Sequence, residues 1–351
     1  MSNATHLIAL LVGLTTACSM QASQDPAGNA PTSKAPAGPS AGDKAPAMDA
    51  NPSGGNPPMV LPAPASTRIR FGVAPQYSQS YAPPASGPQN VDAVVVGDWL
   101  IESGFTPTHE TKIQQILAAK KTPYVFGYIL TAMTKQGLGE YADCDGDPTK
   151  KLCLEGADWV RSHIENDILP RYRDAATKIG TLAGTNEVLI HLEPDFFQFS
   201  EKAQQHPLTH DESNGFMNKI LAAIQAGCPS CRAVADFSPW FSPDKTAWAT
   251  SAKSFYEGWD KSILTHVGVT GKQFAFTEGK VDNFTYAEIV AEMGLPLVIM
   301  DGYTFGGAAI DVDTSWLDAT AIAKAKAMGI DWVFLSQQGD VAGFDAFLAA
   351  H

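Results

Sequence analysis

Short apolar runs rich in β-branched and aromatic residues recur along the chain from Arg68 onward, and they limit its architecture more than any other feature. They are RIRFGV from Arg68, AVVV from Ala93, YVFGYI from Tyr124, VLIHL from Val188, AVADF from Ala233, QFAFT from Gln273, LVIM from Leu297 and WVFL from Trp332. Nearly continuous runs of this kind predict parallel strands covered on both faces. Amphipathic stretches lie between most of them, at 108–119, 159–182 interrupted by Pro170, 215–225, 246–259, 286–293, 315–328 and 341–350. Strand and helix alternate, so the class is α/β. Eight such runs in a single domain, residues 67–351, predict a (β/α)8-like barrel. The Pro- and Ser-rich stretch between Val73 and Ala93 shows no helical pattern. It leaves a distorted or incomplete barrel, and an open doubly wound sheet, as alternatives. No GxGxxG or P-loop sequence follows a strand, so a nucleotide-binding turn is not expected.

Composition divides the chain. All 7 Trp, 9 Tyr and 17 Phe lie beyond residue 66. Residues 19–66 are dominated by Ala, Pro, Ser and Gly. Such a stretch buries too little apolar surface to offset its ordering entropy, so it reads as a disordered linker. Residues 1–18 contain Leu7 to Leu14 (LIALLVGL), too short to span a bilayer and suited to the core of a secretory signal. With Thr15-Thr16-Ala17-Cys18 directly after it, this segment resembles the cleavage and lipidation box of bacterial lipoproteins. The resemblance implies a lipidated Cys18 as the new N-terminus and membrane contact only through that anchor. It further implies an exported protein: an outer-membrane or cell-surface lipoprotein, or a periplasmic or secreted one.

A net charge of −13 offers no basic stripe for phosphates, which excludes nucleic acid as the expected partner. Neutral or cationic ligands remain, and no cofactor or metal is expected. Beyond Cys18 stand Cys144, Cys153, Cys228 and Cys231. An even number in an exported chain predicts disulfides. Cys144–Cys153 would staple a small loop and Cys228–Cys231 a tight turn, although spacing leaves the other pairings open. Cys228-Pro229-Ser230-Cys231 follows a helix and precedes a strand, which is not the corner that activates a redox thiol. No second CxxC and no paired His completes a zinc site. The alternating acids Asp143, Asp145 and Asp147 lack a closing Glu and read as an exposed disulfide loop.

In α/β barrels the working residues lie where strands end. The ends read Asp98-Trp99 for strand two, His191 to Asp195 for strand four, Asp236 with Trp240 beyond for strand five and Thr277-Glu278 for strand six. Asp301-Gly302-Tyr303 ends strand seven, and Gln337-Gln338-Gly339-Asp340 ends strand eight. Carboxylates and aromatics collect at one rim. Asp195 is followed by Phe196, Phe197 and Phe199. A carboxyl among rings is desolvated and keeps its proton toward neutral pH, which protonation of a glycosidic oxygen requires. Asp98, Trp99, Trp240, Tyr303 and Gln338 are the candidates for holding sugar. The structural alternative is that Glu193 and Asp195 cap the next helix or pair with an Arg.

Leu192-Glu193-Pro194-Asp195, an apolar strand running into Glu-Pro-Asp, is similar to a signature of glycoside hydrolase family 6, the cellobiohydrolases and endoglucanases. The resemblance implies that Asp195 is the catalytic acid. Gly139-Glu140-Tyr141, Val234-Ala235-Asp236 and the segment 329–343 resemble further parts of that family, the last implying Asp340 as a candidate base. The chain departs from the family after strand three, where Tyr128 to Met133 replace an acidic cluster that supports the acid.

The expected function is therefore a glycosidase acting on a polysaccharide or oligosaccharide. Asp195 gives the proton. Asp340 or Asp236 activates water if the reaction inverts, whereas Glu193 with Glu278 or Asp301 forms the closer pair if it retains. The pairs differ in separation, about 6.5–9.5 Å against about 5–5.5 Å. The alternatives are a non-catalytic carbohydrate-binding surface lipoprotein and a metal-dependent hydrolase using His191, Glu193, Asp236 and Asp301.

Overall fold

The computed structural model describes residues 68–74, 89–144, 148–237, 245–246, 249, 253–269, 280–281, 284–300, 318–336 and 341–350. Eight parallel strands close into a barrel. In chain order they are β1 (Arg70–Ala74), β2 (Ala93–Val95), β3 (Thr122–Gly127), β4 (Val188–Leu192), β5 (Cys231–Phe237), β6 (Leu264–Val269), β9 (Leu297–Met300) and β10 (Ile330–Ser336). A small antiparallel hairpin, β7 (Lys280–Val281) with β8 (Phe284–Thr285), stands outside the barrel. The helices are α1 (Pro107–Ala118), α2 (Ile129–Leu138), α3 (Lys151–His163), α4 (Leu169–Ala183), α5 (Phe196–Phe199) and α6 (His210–Gly227). They continue as α7 (Lys253–Glu257), α8 (Tyr286–Met293), α9 (Ala319–Ala327) and α10 (Val341–Ala350). The expected barrel is thus present and closed, β1 pairing with both β2 and β10.

Strand six is the correction. The strand between β5 and β9 is Leu264–Val269, not QFAFT, which lies outside the described residues. Thr265, His266 and Gly268 break its apolar pattern, and each has a tertiary reason to be there. His266 Nε2 lies 2.9 Å from Asp331 Oδ2, with Thr265 Oγ1 2.8 Å from its other ring nitrogen. Gly268 leaves room for the His191 ring, since a Cβ there would stand 2.4 Å from His191 Cε1. The stretch is interrupted next to Pro170, as expected: α3 ends at His163, a π-helical turn, Ile164–Ile168, absorbs the change of register, and Pro170 sits in the first turn of α4.

Strand alternation sorts the apolar residues into two cores. Leu189, Val234, Val298, Met300, Trp332 and Phe334 fill the barrel with Tyr124 and Phe126. A larger core lies between the strands and the helices. Inside, large residues face small ones, as a barrel of this width demands. Phe334 lies over Gly72, its register partner, where a Cβ would be 2.3 Å from the ring. At the end where β1 and β10 begin, Arg70 bridges Glu187 at 3.2 Å and Asp331 at 2.5 Å and stacks 3.9 Å over Trp332. His266 and Arg70 hold Asp331 below the usual carboxylate range although burial pushes it up. Charges at this end serve stability, leaving the opposite end for chemistry.

The cysteines pair as Cys144–Cys153 and Cys228–Cys231, with Cα separations of 5.5 and 5.3 Å. Cys228 and Cys231 are buried, closing the turn from α6 into β5.

Gly268→Ala forces either β6 or the His191 ring to move. Overpacking of this kind costs about 1–3 kcal/mol. A thermal melt is expected to show a Tm several degrees below wild type, and an unchanged Tm would contradict the packing described.

Candidate active site

The chain leaves β4 at Leu192 and turns sharply. Glu193 takes φ of +46°, a left-handed conformation that costs a non-glycine residue energy and is often found where function fixes the backbone. Its amide still donates to Gly127 O at 2.9 Å, so the turn stays attached to β3. The Glu193 carboxylate accepts from the amides of Leu130 (2.8 Å) and Thr131 (3.1 Å), from Thr131 Oγ1 (2.8 Å) and from the Tyr172 hydroxyl. Leu130 and Thr131 open α2, whose first amides lack partners within the helix. A carboxylate there satisfies them and meets the positive end of the helix dipole. Burial lifts the Glu193 carboxyl above its ordinary value, while these donors pull it down. Glu193 is 3% exposed with both oxygens committed, so it is a brace for α2 and not one of an acid/base pair. Glu193 thus caps a helix, but the one that follows β3 and not the next one in the chain.

Asp195 is different. It is half-buried at the start of α5 and makes no cap bond to that helix. Its Oδ2 accepts from the Tyr128 hydroxyl, and its Oδ1 accepts from Gln198 Nε2 at 3.2 Å. Lys135 Nζ donates to the Tyr128 oxygen at 2.8 Å and pairs with Asp143. The Asp195 carboxyl is raised to about 7, first by burial and then by the charge of Asp143. The Tyr128 bond and Lys135 oppose that rise, and the charge of Asp236 adds to it. The cause differs in part from the expected one. Phe196, Phe197 and Phe199 turn into the outer core, where Phe196 and Phe197 pack 5.8 and 5.1 Å from Phe255. They anchor the turn that carries Asp195.

Asp236 ends the inward row of β5 beside His191. His191 Nε2 is 2.8 Å from Asp236 Oδ1, and its Nδ1 is 2.7 Å from the Tyr124 hydroxyl. A neutral ring with its proton on Nε2 serves both neighbours, donating to Asp236 and accepting from Tyr124. Phe126 stacks on the ring at 4.9 Å. Asp236 is 3% exposed and lies within electrostatic reach of Asp195. Both nitrogens of His191 and both oxygens of Glu193 are engaged by protein groups. Among the described residues no three of His, Cys, Asp and Glu converge as metal ligands.

Trp99 is buried, stacked on Phe126 at 4.8 Å and edge-on to Tyr128 at 5.1 Å. Its ring therefore packs among Phe126 and Tyr128 rather than standing as an open platform. Asp98 pairs with Lys112 at 2.8 Å on the rim. Trp240, Glu278, Asp301, Tyr303, Gln338 and Asp340 lie outside the described residues. Sequence reasoning missed Tyr128, Lys135, Asp143 and Gln198. For Tyr128 a signal existed: it continues the inward row Tyr124, Phe126 by one more step of two.

No protein-family model matches the chain, and the search of curated proteins finds no relative. The chain is similar in structure to a β-mannanase from a symbiotic protist of the termite Reticulitermes speratus, at 7% identity over 80% of this chain and 87% of that chain, with a TM-score of 0.48. It is similar to the β-mannanase of Thermomonospora fusca, at 12% identity over 80% and 82%, with a TM-score of 0.42. It is also similar to 2,3-dimethylmalate lyase, at 12% identity over 82% and 79%, with a TM-score of 0.39. One fold hosts many chemistries, so function has to come from the residues of the site.

A carboxyl near 7 in the folded chain and near 3.8 unfolded binds its proton more tightly when folded. Its contribution to stability is whole below the unfolded value and is lost as pH rises through about 7. Asp195→Asn removes that loss. Its Tm relative to wild type is expected to climb between pH 5 and pH 8, and a pH-independent difference would contradict the environment described. Glu193→Gln sets an amide donor against the α2 amides. Leaving buried donors unmatched costs about 1–3 kcal/mol each, so its Tm falls at every pH.

Proposed function

We propose that the barrel is a glycoside hydrolase in which Asp195 is the general acid. The observation that carries this reading is the carboxyl of Asp195: half-buried, hydrogen-bonded on both oxygens, and raised to about 7 by burial and the charge of Asp143. An acid with that affinity holds its proton at neutral pH and gives it to a glycosidic oxygen as the bond to the anomeric carbon breaks. Electrons of that bond pass to the leaving oxygen, and Asp195 is left as carboxylate. The resemblance of Leu192 to Asp195 to family 6 supports the same role.

Inversion is the favoured course. Retention by a close pair would use Glu193, whose oxygens serve α2. Water activation then falls to Asp236, a described carboxylate whose charge reaches Asp195 from the end of β5, or to Asp340. Asp236 has His191 as hydrogen-bond partner, which holds its carboxylate in place. Among the described residues no helix is long and apolar enough to cross a membrane, and the reading of Cys18 as a lipid anchor on an exported protein belongs to this proposal.

A polysaccharide hydrolysis screen with product anomers followed by NMR tests the reading. Loss of a general acid typically costs about 10²–10⁴-fold, so Asp195→Asn is expected to lose that much in kcat on any glycan the wild type cleaves. The first anomer formed is expected to be inverted. In wild type, kcat/KM falls as pH rises through about 7, because the acid form is consumed. Unchanged hydrolysis by Asp195→Asn sinks the proposal. Glycan binding without any new reducing ends would support the non-catalytic alternative.

A further inference from the structure

Lysine carries hydrogen-bond donors only. Lys135 Nζ therefore donates to the Tyr128 oxygen, and the proton of the Tyr128 hydroxyl goes to Asp195 Oδ2. Oδ2 is an acceptor whether or not Asp195 is protonated. The proton that Asp195 can transfer consequently sits on Oδ1. The neighbour of Oδ1 is the side-chain amide of Gln198, three residues on in α5, with Nε2 at 3.2 Å. Gln198 is 8% exposed, and its Oε1 is buried without a hydrogen-bond partner. An empty buried acceptor costs about 1–3 kcal/mol. A glutamine that only braced the turn would gain by losing it. Here the empty acceptor belongs to the same amide that faces the transferable proton.

We propose that Gln198 is the positioning residue for that proton, its amide turning over with each protonation of Asp195. With Asp195 protonated, Oε1 accepts from Oδ1–H and holds the proton until a substrate oxygen displaces it. When the proton has moved to that oxygen, Nε2–H donates to the carboxylate left behind. The base that activates water gains a proton as Asp195 loses one, and exchange with solvent returns both to their starting states. The inference deepens the reading of Asp195 as the acid and rests on it, but its central observable does not need activity.

The experiment is NMR on the intact protein, following the Asp195 side-chain carboxyl by ¹³C and the Gln198 side-chain amide by ¹⁵N between pH 5 and 9. In wild type the amide signal is expected to titrate with the same midpoint as the Asp195 carboxyl, and the step disappears in Asp195→Asn. In Gln198→Met, similar in size but without donor or acceptor, the Asp195 midpoint is expected to move up, because bonds to the charged form are the stronger ones lost. On a glycan that wild type cleaves, Gln198→Met lowers kcat about tenfold with KM little changed, and it costs nothing further in the Asp195→Asn background. A Gln198 amide signal that stays flat from pH 5 to 9, or a carboxyl midpoint that ignores Gln198→Met, overturns the inference. Should Gln198→Met fail to fold, the wild-type amide titration decides alone. If the titrations behave as stated while Asp195→Asn hydrolyses normally, the enzyme reading fails and the proton coupling stands.

Discussion

The carboxylate of Glu193 on the first amides of α2 is the interaction on which the site depends. It joins the end of β4 to the helix that follows β3, and it does so from a backbone held at positive φ. A charged hydrogen bond to helix amides offsets the cost of that conformation, each being of the order of a few kcal/mol. Because α2 begins immediately after Tyr128, the same clamp sets where the Tyr128 hydroxyl stands. Pro194 and the three phenylalanines then carry Asp195 to that hydroxyl. The adjoining acids in Glu-Pro-Asp have thus been sorted by environment. One is buried and saturated with donors, the other keeps access to the barrel mouth.

Opposed effects decide the proton affinity of Asp195. Burial and the charges of Asp143 and Asp236 favour the acid, while the Tyr128 hydroxyl and Lys135 favour the carboxylate. The first set prevails, and the carboxyl is raised to about 7. Such a balance suits a group that must both give and regain a proton near neutral pH. The same balance makes Asp195 a liability to the fold above pH 7, which is a common cost of a functional site.

The barrel was legible because its strands are apolar on both faces, and a parallel sheet covered by helices is the arrangement that buries both. Strand six was not, because Thr265, His266 and Gly268 are chosen for Asp331 and His191, partners far away in sequence. The break beside Pro170 was legible from the proline itself, which falls in the first turn of a new helix after a π turn. At the site, Asp195 and Asp236 were visible as acids at strand ends. The separate role of Glu193 was not, since nothing local in Glu-Pro-Asp reveals that α2 offers its amides to the first acid. Lys135 and Gln198 gave no signal, each being an ordinary polar residue until the fold brings it to the site, and Asp143 read only as part of an exposed disulfide loop.

The central claim is that Asp195 assists departure of the leaving group by protonating it. Comparing two substrates tests this most directly: a glycan with a sugar leaving group, and an aryl glycoside of the same sugar whose acidic phenol leaves without help. The account predicts that Asp195→Asn cleaves the aryl glycoside at nearly the wild-type rate while hydrolysis of the glycan collapses. Equal loss on both substrates, or equal retention, would contradict it.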